Sequence, residues 1–226
     1  MILAFDLDDT LYPEISYVHS GFRAVAVHLS AKYGIGAEQS YRQMIDTLEK
    51  DGRGKVFDNC LMAHALLRKA RVRECLSVYR KHQPLISLYQ DAAQFLATWK
   101  SRTNLYLVTD GNKLTQYAKV KALGLRPYFQ KIFVTRQYGI DKEKPSLFCF
   151  QKICRLEGKE LKDLVYIGDN PKKDFVNLKK SGGLTIRLLR GAHKDASVGP
   201  EFDADHVIQD FTQLDSLLRR TLSLGG

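Results

Sequence analysis

Long apolar runs are missing from this 226-residue chain: no stretch approaches the roughly 20 residues needed to cross a bilayer. The sequence therefore predicts no membrane span. Cysteine is sparse, with four residues (Cys60, Cys75, Cys149, Cys154), no CxxC pair and no histidine at zinc-ligand spacing. That excludes a structural zinc motif and predicts reduced, mostly buried thiols in a cytoplasmic protein. Internal repeats and low-complexity segments are also missing. The start of the chain carries an acidic strand where a signal peptide has a basic flank and a longer apolar core, so secretion is not expected. Acidic residues are outnumbered: 35 Lys and Arg against 25 Asp and Glu leave a net charge of +10. The basic residues are scattered, and clusters such as Lys172-Lys173 are short. Solvated helix faces are the simplest reading, attraction of anionic substrates the next, and nucleic acid binding is not expected.

The chain does have an unusual opening: Ile2-Leu3-Ala4-Phe5-Asp6-Leu7-Asp8-Asp9-Thr10-Leu11. The apolar run reads as a buried strand. Carboxylates crowded past its end repel one another and resist burial, unless a divalent cation sits among them. Asp6 and Asp8 are accordingly the first candidate site residues.

From Tyr89 onward, strand-like runs at 105–108, 132–134, 164–167 and 184–189 alternate with helical patterns at 91–101, 114–123, 146–156 and 171–181. Asp91 is read as the N-cap of the first of these helices. Such alternation predicts an α/β fold, a parallel sheet with helices on both faces, and ligands bound beyond the C-terminal strand ends. Residues 13–88 differ, with helical periodicities at 15–33, 37–50, 56–70 and 73–82 and no strand. An all-helical insert leaving the sheet just after the acidic strand end is expected to act as a lid.

Three more strand ends carry polar residues. Thr109-Asp110-Gly111-Asn112 offers a hydroxyl and backbone N–H groups to an anion at a helix start. Lys144-Pro145 supplies a cation, and Gly168-Asp169-Asn170-Pro171-Lys172-Lys173-Asp174 supplies two acids five apart. Carboxylates, an anion cradle and a lysine on one sheet edge suit phosphoryl transfer assisted by a hard cation, of which Mg²⁺ is the expected one.

These four segments, in this order, resemble the four signature motifs of the haloacid dehalogenase superfamily, and the helical insert resembles the small cap of its C1-capped, phosphatase-like members. The resemblance implies a Rossmann-like core of residues 1–12 and 89–226 and a cap of residues 13–88. It implies Asp6 as the nucleophile that becomes phosphorylated and Asp8 as the acid that protonates the leaving alcohol and then activates water. Thr109, Asp110, Gly111 and Lys144 would bind the phosphoryl group. Mg²⁺ would be held by Asp6, the backbone carbonyl of Asp8, Asp169 and, directly or through water, Asp174. One departure stands out: the second motif usually has Asn where this chain has Asp110, which is expected to point away and lend only its N–H.

The implied activity is hydrolysis of a small phosphorylated metabolite, a sugar phosphate or nucleoside monophosphate. A dehalogenase needs neither Asp8 nor the Asp169/Asp174 pair. A phosphomutase and a non-catalytic binding module remain as alternatives. Phosphonate hydrolysis would call for a Schiff-base lysine, with Lys32, Lys50 and Lys55 as candidates by location. In the insert, Tyr17, Phe22, Arg23 and the loop 51–55 either face the substrate or simply pack and solvate the cap. Asp9 is read as a turn residue and Thr10 as a brace of the loop.

Overall fold

The computed structural model describes residues 1–223. Six strands, β1 (Ile2–Phe5), β2 (Leu105–Thr109), β3 (Lys131–Val134), β4 (Leu164–Gly168), β5 (Leu184–Leu188) and β6 (His206–Ile208), form one sheet in the order β3-β2-β1-β4-β5-β6. Every pairing is parallel. The strands β1, β2 and β4 are buried at every residue, as expected for parallel strands covered on both faces. The acidic strand end therefore lies mid-sheet, flanked by the ends of β2 and β4.

Helices α1 (Glu14–Tyr33), α2 (Ala37–Asp51), α3 (Val56–Ala63) and α4 (Lys69–Lys81) precede α5 (Gln90–Trp99), α6 (Lys113–Ala122), α7 (Phe148–Glu157), α8 (Val176–Lys180) and α9 (Phe211–Ser223). The chain divides into two compact units, Met1–Glu14 with Ser87–Gly226, and Ile15–Ile86. In the first, Ile2, Ala4, Tyr106, Val108 and Tyr166 pack against Phe150 and Ile153 of α7 and Leu178 of α8. The opposite sheet face packs Phe5 against Phe95 of α5 and Phe211 of α9. Each of the larger apolar side chains among these contributes about 2 kcal/mol on leaving water.

Some local expectations are corrected. The helix expected over 56–70 stops at Ala63, because Ala65 turns left-handed (φ 53°) and the Leu66 N–H closes on the Leu61 carbonyl at 2.8 Å. This is a Schellman ending made without glycine. The next helix accordingly starts at Lys69, not 73. Asp91 is not the N-cap of α5. That position is Tyr89, and the Asp91 carboxylate instead pairs with Arg190 and accepts the Phe211 N–H. The helix expected over 171–181 is confined to Val176–Lys180, since the Asn170 side chain and carbonyl take the N–H groups of Lys172, Lys173 and Asp174 in turns. The short strand β6 had no expectation at all.

In the helical unit, Tyr17 and Phe22 are buried, with Phe22 against Phe57 and both rings against Tyr79. They pack its core. Arg23 lies over the Tyr41 ring and near Glu38, and Lys32 pairs with Glu74. Lys50 and Lys55 are exposed. Among the described residues no helix is long and apolar enough to cross a membrane. All four cysteines are buried as free thiols.

Candidate active site

The turn after β1 is anchored by the Asp6 N–H to the Ile167 carbonyl of β4 at 2.8 Å. Asp6 is buried there, and so are Thr109, Lys144, Asp169 and Asp174. The Lys144 ammonium is fully enclosed, 2.6 Å from Asp6 Oδ1 and 2.8 Å from Asp174 Oδ1. It also donates to the Tyr166 hydroxyl at 2.8 Å, and that hydroxyl leans on the Val108 carbonyl at 3.4 Å. Asp6, Asp169 and Asp174 each bring a carboxylate oxygen within 4.8 Å of the others. Gly168 permits this: a Cβ there would meet the Asp174 Oδ2 at 2.5 Å.

Three buried carboxylates thus face one buried ammonium. Burial, with the neighbouring Asp174 adding to it and Lys144 opposing it, pushes the Asp6 carboxyl up to about 6. Asp169 rises further, to about 9, by burial and then by the charges of Asp6 and Asp174. Burial works against the Lys144 ammonium, but Asp174 and Asp6 outweigh it and hold its pKa well above the ordinary lysine value. The excess negative charge, all on hard oxygen donors, fits a divalent cation of the Mg²⁺ type.

Asp8 faces different partners. Its Oδ1 accepts from the Tyr12 hydroxyl at 2.5 Å and the Lys119 ammonium at 2.7 Å, and its Oδ2 from Gln116 Nε2 at 3.1 Å. The same Gln116 nitrogen donates to Thr109 Oγ1 at 2.5 Å. Burial raises the Asp8 carboxyl, but the Lys119 charge and these donors outweigh it and leave it below the usual carboxylate value.

Asp110 does more than lend an N–H. Its Oδ1 accepts from the Thr135 hydroxyl at 2.7 Å and from the Lys144 backbone N–H at 3.1 Å, and its Oδ2 pairs with Lys173 at 3.3 Å. Burial pushes its carboxyl up, and Lys144, Lys173 and these hydrogen bonds bring it below the ordinary value. The departure from the usual Asn is thus absorbed by a brace on the lysine segment. Gly111 takes φ 117°, which side-chain-bearing residues rarely adopt. Asp110→Asn keeps the Oδ1 acceptor and is expected to lose less than about threefold in kcat, whereas Asp110→Ala unties Lys144 and loses about tenfold or more. Steady-state rates of the two variants check this.

Asp9 is a turn residue (φ 54°), and its carboxylate also accepts the N–H groups of Glu14 at 2.8 Å and Ala192 at 3.1 Å. Gly191 lies so close that a Cβ would meet the Asp9 Cγ at 2.0 Å. The Thr10 hydroxyl is buried without a hydrogen-bond partner among the described residues, so the expected brace is Asp9 instead. Tyr12, Gln116, Lys119, Tyr166 and Lys173 were missed from sequence. Nor did α6, which carries two of them, announce in the sequence which face it turns inward. Its inward face is Gln116, Lys119 and Val120, while Leu114 is 62% exposed.

The family model described as haloacid dehalogenase-like hydrolase matches residues 1–182. The chain belongs to this family. Among relatives of this haloacid dehalogenase-like hydrolase, glyceraldehyde 3-phosphate phosphatase of Methanocaldococcus jannaschii is 28% identical over 201 residues, covering 85% of this chain and 86% of the relative. Phosphoserine phosphatase of Thermus thermophilus is 28% identical over 145 residues, 64% of this chain and 56% of the relative. The enzyme class these relatives support is phosphoric monoester hydrolase. Two solved structures share the fold. One is 2-haloacid dehalogenase from Pseudomonas syringae, with TM-score 0.66, 21% identity, and coverage of 97% of this chain and 99% of that one. The other is the hydrolase YfnB from Bacillus subtilis bound to magnesium, with TM-score 0.67, 19% identity, and coverage of 96% and 97%.

Proposed function

We propose that this chain is a Mg²⁺-dependent cytoplasmic phosphatase that hydrolyses a small phosphorylated metabolite, a sugar phosphate or nucleoside monophosphate, through an aspartyl-phosphate on Asp6. The observation that carries the reading is the convergence of Asp6, Lys144, Asp169 and Asp174 in one buried cluster, with Asp8 and Thr109 joined through Gln116 at the neighbouring strand ends. Relatives named as phosphatases of small phosphorylated molecules support it.

Asp6, Asp169, Asp174 and the Asp8 backbone carbonyl would hold Mg²⁺, which when bound offsets the charge of the carboxylates and of the phosphoryl group. Asp6 attacks phosphorus, and the bond to the ester oxygen breaks. Asp8, a carboxylate in the free protein, takes up a proton when the phosphoryl charge is seated beside it, gives that proton to the ester oxygen, and the alcohol leaves. Asp8, now a carboxylate, takes a proton from water, which attacks the same phosphorus and frees both phosphate and Asp6. Thr109, the backbone N–H groups at Asp110 and Gly111, and the Lys144 ammonium supply donors to the phosphoryl oxygens. Residues 13–88 serve as the cap that selects the substrate. A dehalogenase has no task for Asp8 or for Asp169 and Asp174, and the burial of the last two beside Asp6 favours phosphoryl chemistry.

The test is release of inorganic phosphate with Mg²⁺ from p-nitrophenyl phosphate and from a panel of sugar phosphates and nucleoside monophosphates, with glyceraldehyde 3-phosphate and phosphoserine included. Turnover that EDTA abolishes and Mg²⁺ restores is expected. Silence across the panel in the presence of metal overturns the reading.

A further inference from the structure

Helix α6 is folded against the usual rule. Its Leu114 is 62% exposed, while Gln116 and Lys119 are only 2% and 3% exposed. These two residues lie three apart, so they project from one helix face. Burying a lysine and an amide there is costly unless every strong donor finds a partner. Both find the same one. Lys119 meets Asp8 Oδ1 at 2.7 Å, and Gln116 meets Asp8 Oδ2 at 3.1 Å. The carboxylate is thus held at both oxygens by donors one helical turn apart, yet its side chain stays 25% accessible.

Gln116 does a second thing. A carboxylate only accepts, so it is the amide NH₂ that faces Asp8, and the remaining hydrogen of that group goes to Thr109 Oγ1 at 2.5 Å. With its oxygen accepting from Gln116, the Thr109 hydroxyl keeps its own proton for another acceptor. The acceptor it has is the Asp110 carbonyl at 3.5 Å, a contact weak enough for a phosphoryl oxygen to replace. Asn112 caps α6 through the N–H groups of Leu114 and Thr115, which anchors the start of the helix that carries both donors.

We propose that Gln116 and Lys119 are positioning residues of the hydrolysis: they hold the Asp8 carboxyl towards the leaving group and lock it in register with the phosphate-seating Thr109 hydroxyl. This rests on the phosphatase reading above. Both act through Asp8 and Thr109. Lys119 sets the angle of the group that delivers the proton, and Gln116 keeps that group and the phosphate seat a constant distance apart. A rigid link of this kind matters most when the departing oxygen needs its proton early.

The test compares kcat/KM for p-nitrophenyl phosphate, whose leaving group departs with little protonation, and phenyl phosphate, whose leaving group needs it. Lys119→Met is expected to lose less than about tenfold on the first and about a hundredfold on the second. Gln116→Met should show the same asymmetry, and Lys119→Arg should restore part of the loss on phenyl phosphate. Equal losses on both esters, or wild-type values in both Met variants, overturn the proposal. If Lys119→Met has no cooperative thermal transition, Gln116→Met decides on the same criterion. Loss of that transition in both assigns the pair a purely structural role and also overturns it. A wild-type protein that turns over neither ester nor the metabolite panel defeats the phosphatase reading itself, which is a different outcome from an active wild type with indifferent variants.

Discussion

Asp6→Asn abolishes phosphatase turnover, by about 10⁴-fold or more, while the protein still melts cooperatively. The amide is nearly the shape of the carboxylate, so the 2.6 Å contact with the Lys144 ammonium can persist through its oxygen. What disappears is the group proposed to attack phosphorus. Wild-type enzyme quenched in acid during turnover should carry an acid-stable mass increase of one phosphoryl group at Asp6, and the variant should carry none. Removing one charge also relieves Asp169, which stands above its ordinary pKa through burial first and the Asp6 charge next. The metal-free variant should therefore melt no lower than wild type. A variant that keeps near wild-type rates would remove Asp6 from the chemistry.

Asp169→Asn produces the second large effect, on stability and metal response together. In the metal-free protein the Asp169 carboxyl is raised to about 9 and that of Asp6 to about 6, both by burial before any other cause. Acids raised in this way favour the folded state in their protonated form. Their contribution is complete below the unfolded value of about 4 and is lost as pH rises through 6 and then 9. Asp8 and Asp110 are lowered, so what they add is lost only as pH falls below about 4 and stays constant in this window. The metal-free wild type should consequently melt lower at about pH 8.5 than at about pH 5.5, and Mg²⁺ should raise its Tm more at the higher pH. In Asp169→Asn the slope flattens, the metal-free Tm at about pH 8.5 rises by about 5 °C, and the Mg²⁺ shift and turnover are both lost. Scanning calorimetry at the two pH values with and without Mg²⁺ checks all of these. A variant that melts below wild type and still responds to Mg²⁺ would show that Asp169 is not a cation ligand.

How much could be read in advance differed between elements for physical reasons. The strands announced themselves because parallel strands buried on both faces must be continuous apolar runs, and four of those after the first were visible. β6, with three residues and an exposed start, had too little burial to leave such a trace. Helix ends were less legible. The α3 stop rests on Ala65 adopting a conformation that alanine tolerates only under tertiary constraint, and the delayed start of α8 rests on local turns around Asn170.

The sequence by itself determined the α/β class, the parallel sheet and the strand-end location of Asp6, Asp8, Thr109 and Asp169, because strand periodicity and chain order dictate which residues lie at one sheet edge. Lys144 and Asp174 reach that edge instead through the turns that follow β3 and β4. Only the tertiary structure decided who meets whom there. Lys144 is shared between Asp6 and Asp174, Asp110 is a brace for the Lys144 backbone, and Asp8 is held by a lysine and a glutamine more than a hundred residues away. Such pairings depend on the depth at which each side chain is buried and on what stands opposite it. Helix α6 is the clearest instance: its polar inward face contradicts amphipathic reading until the carboxylate it serves is seen across the sheet edge.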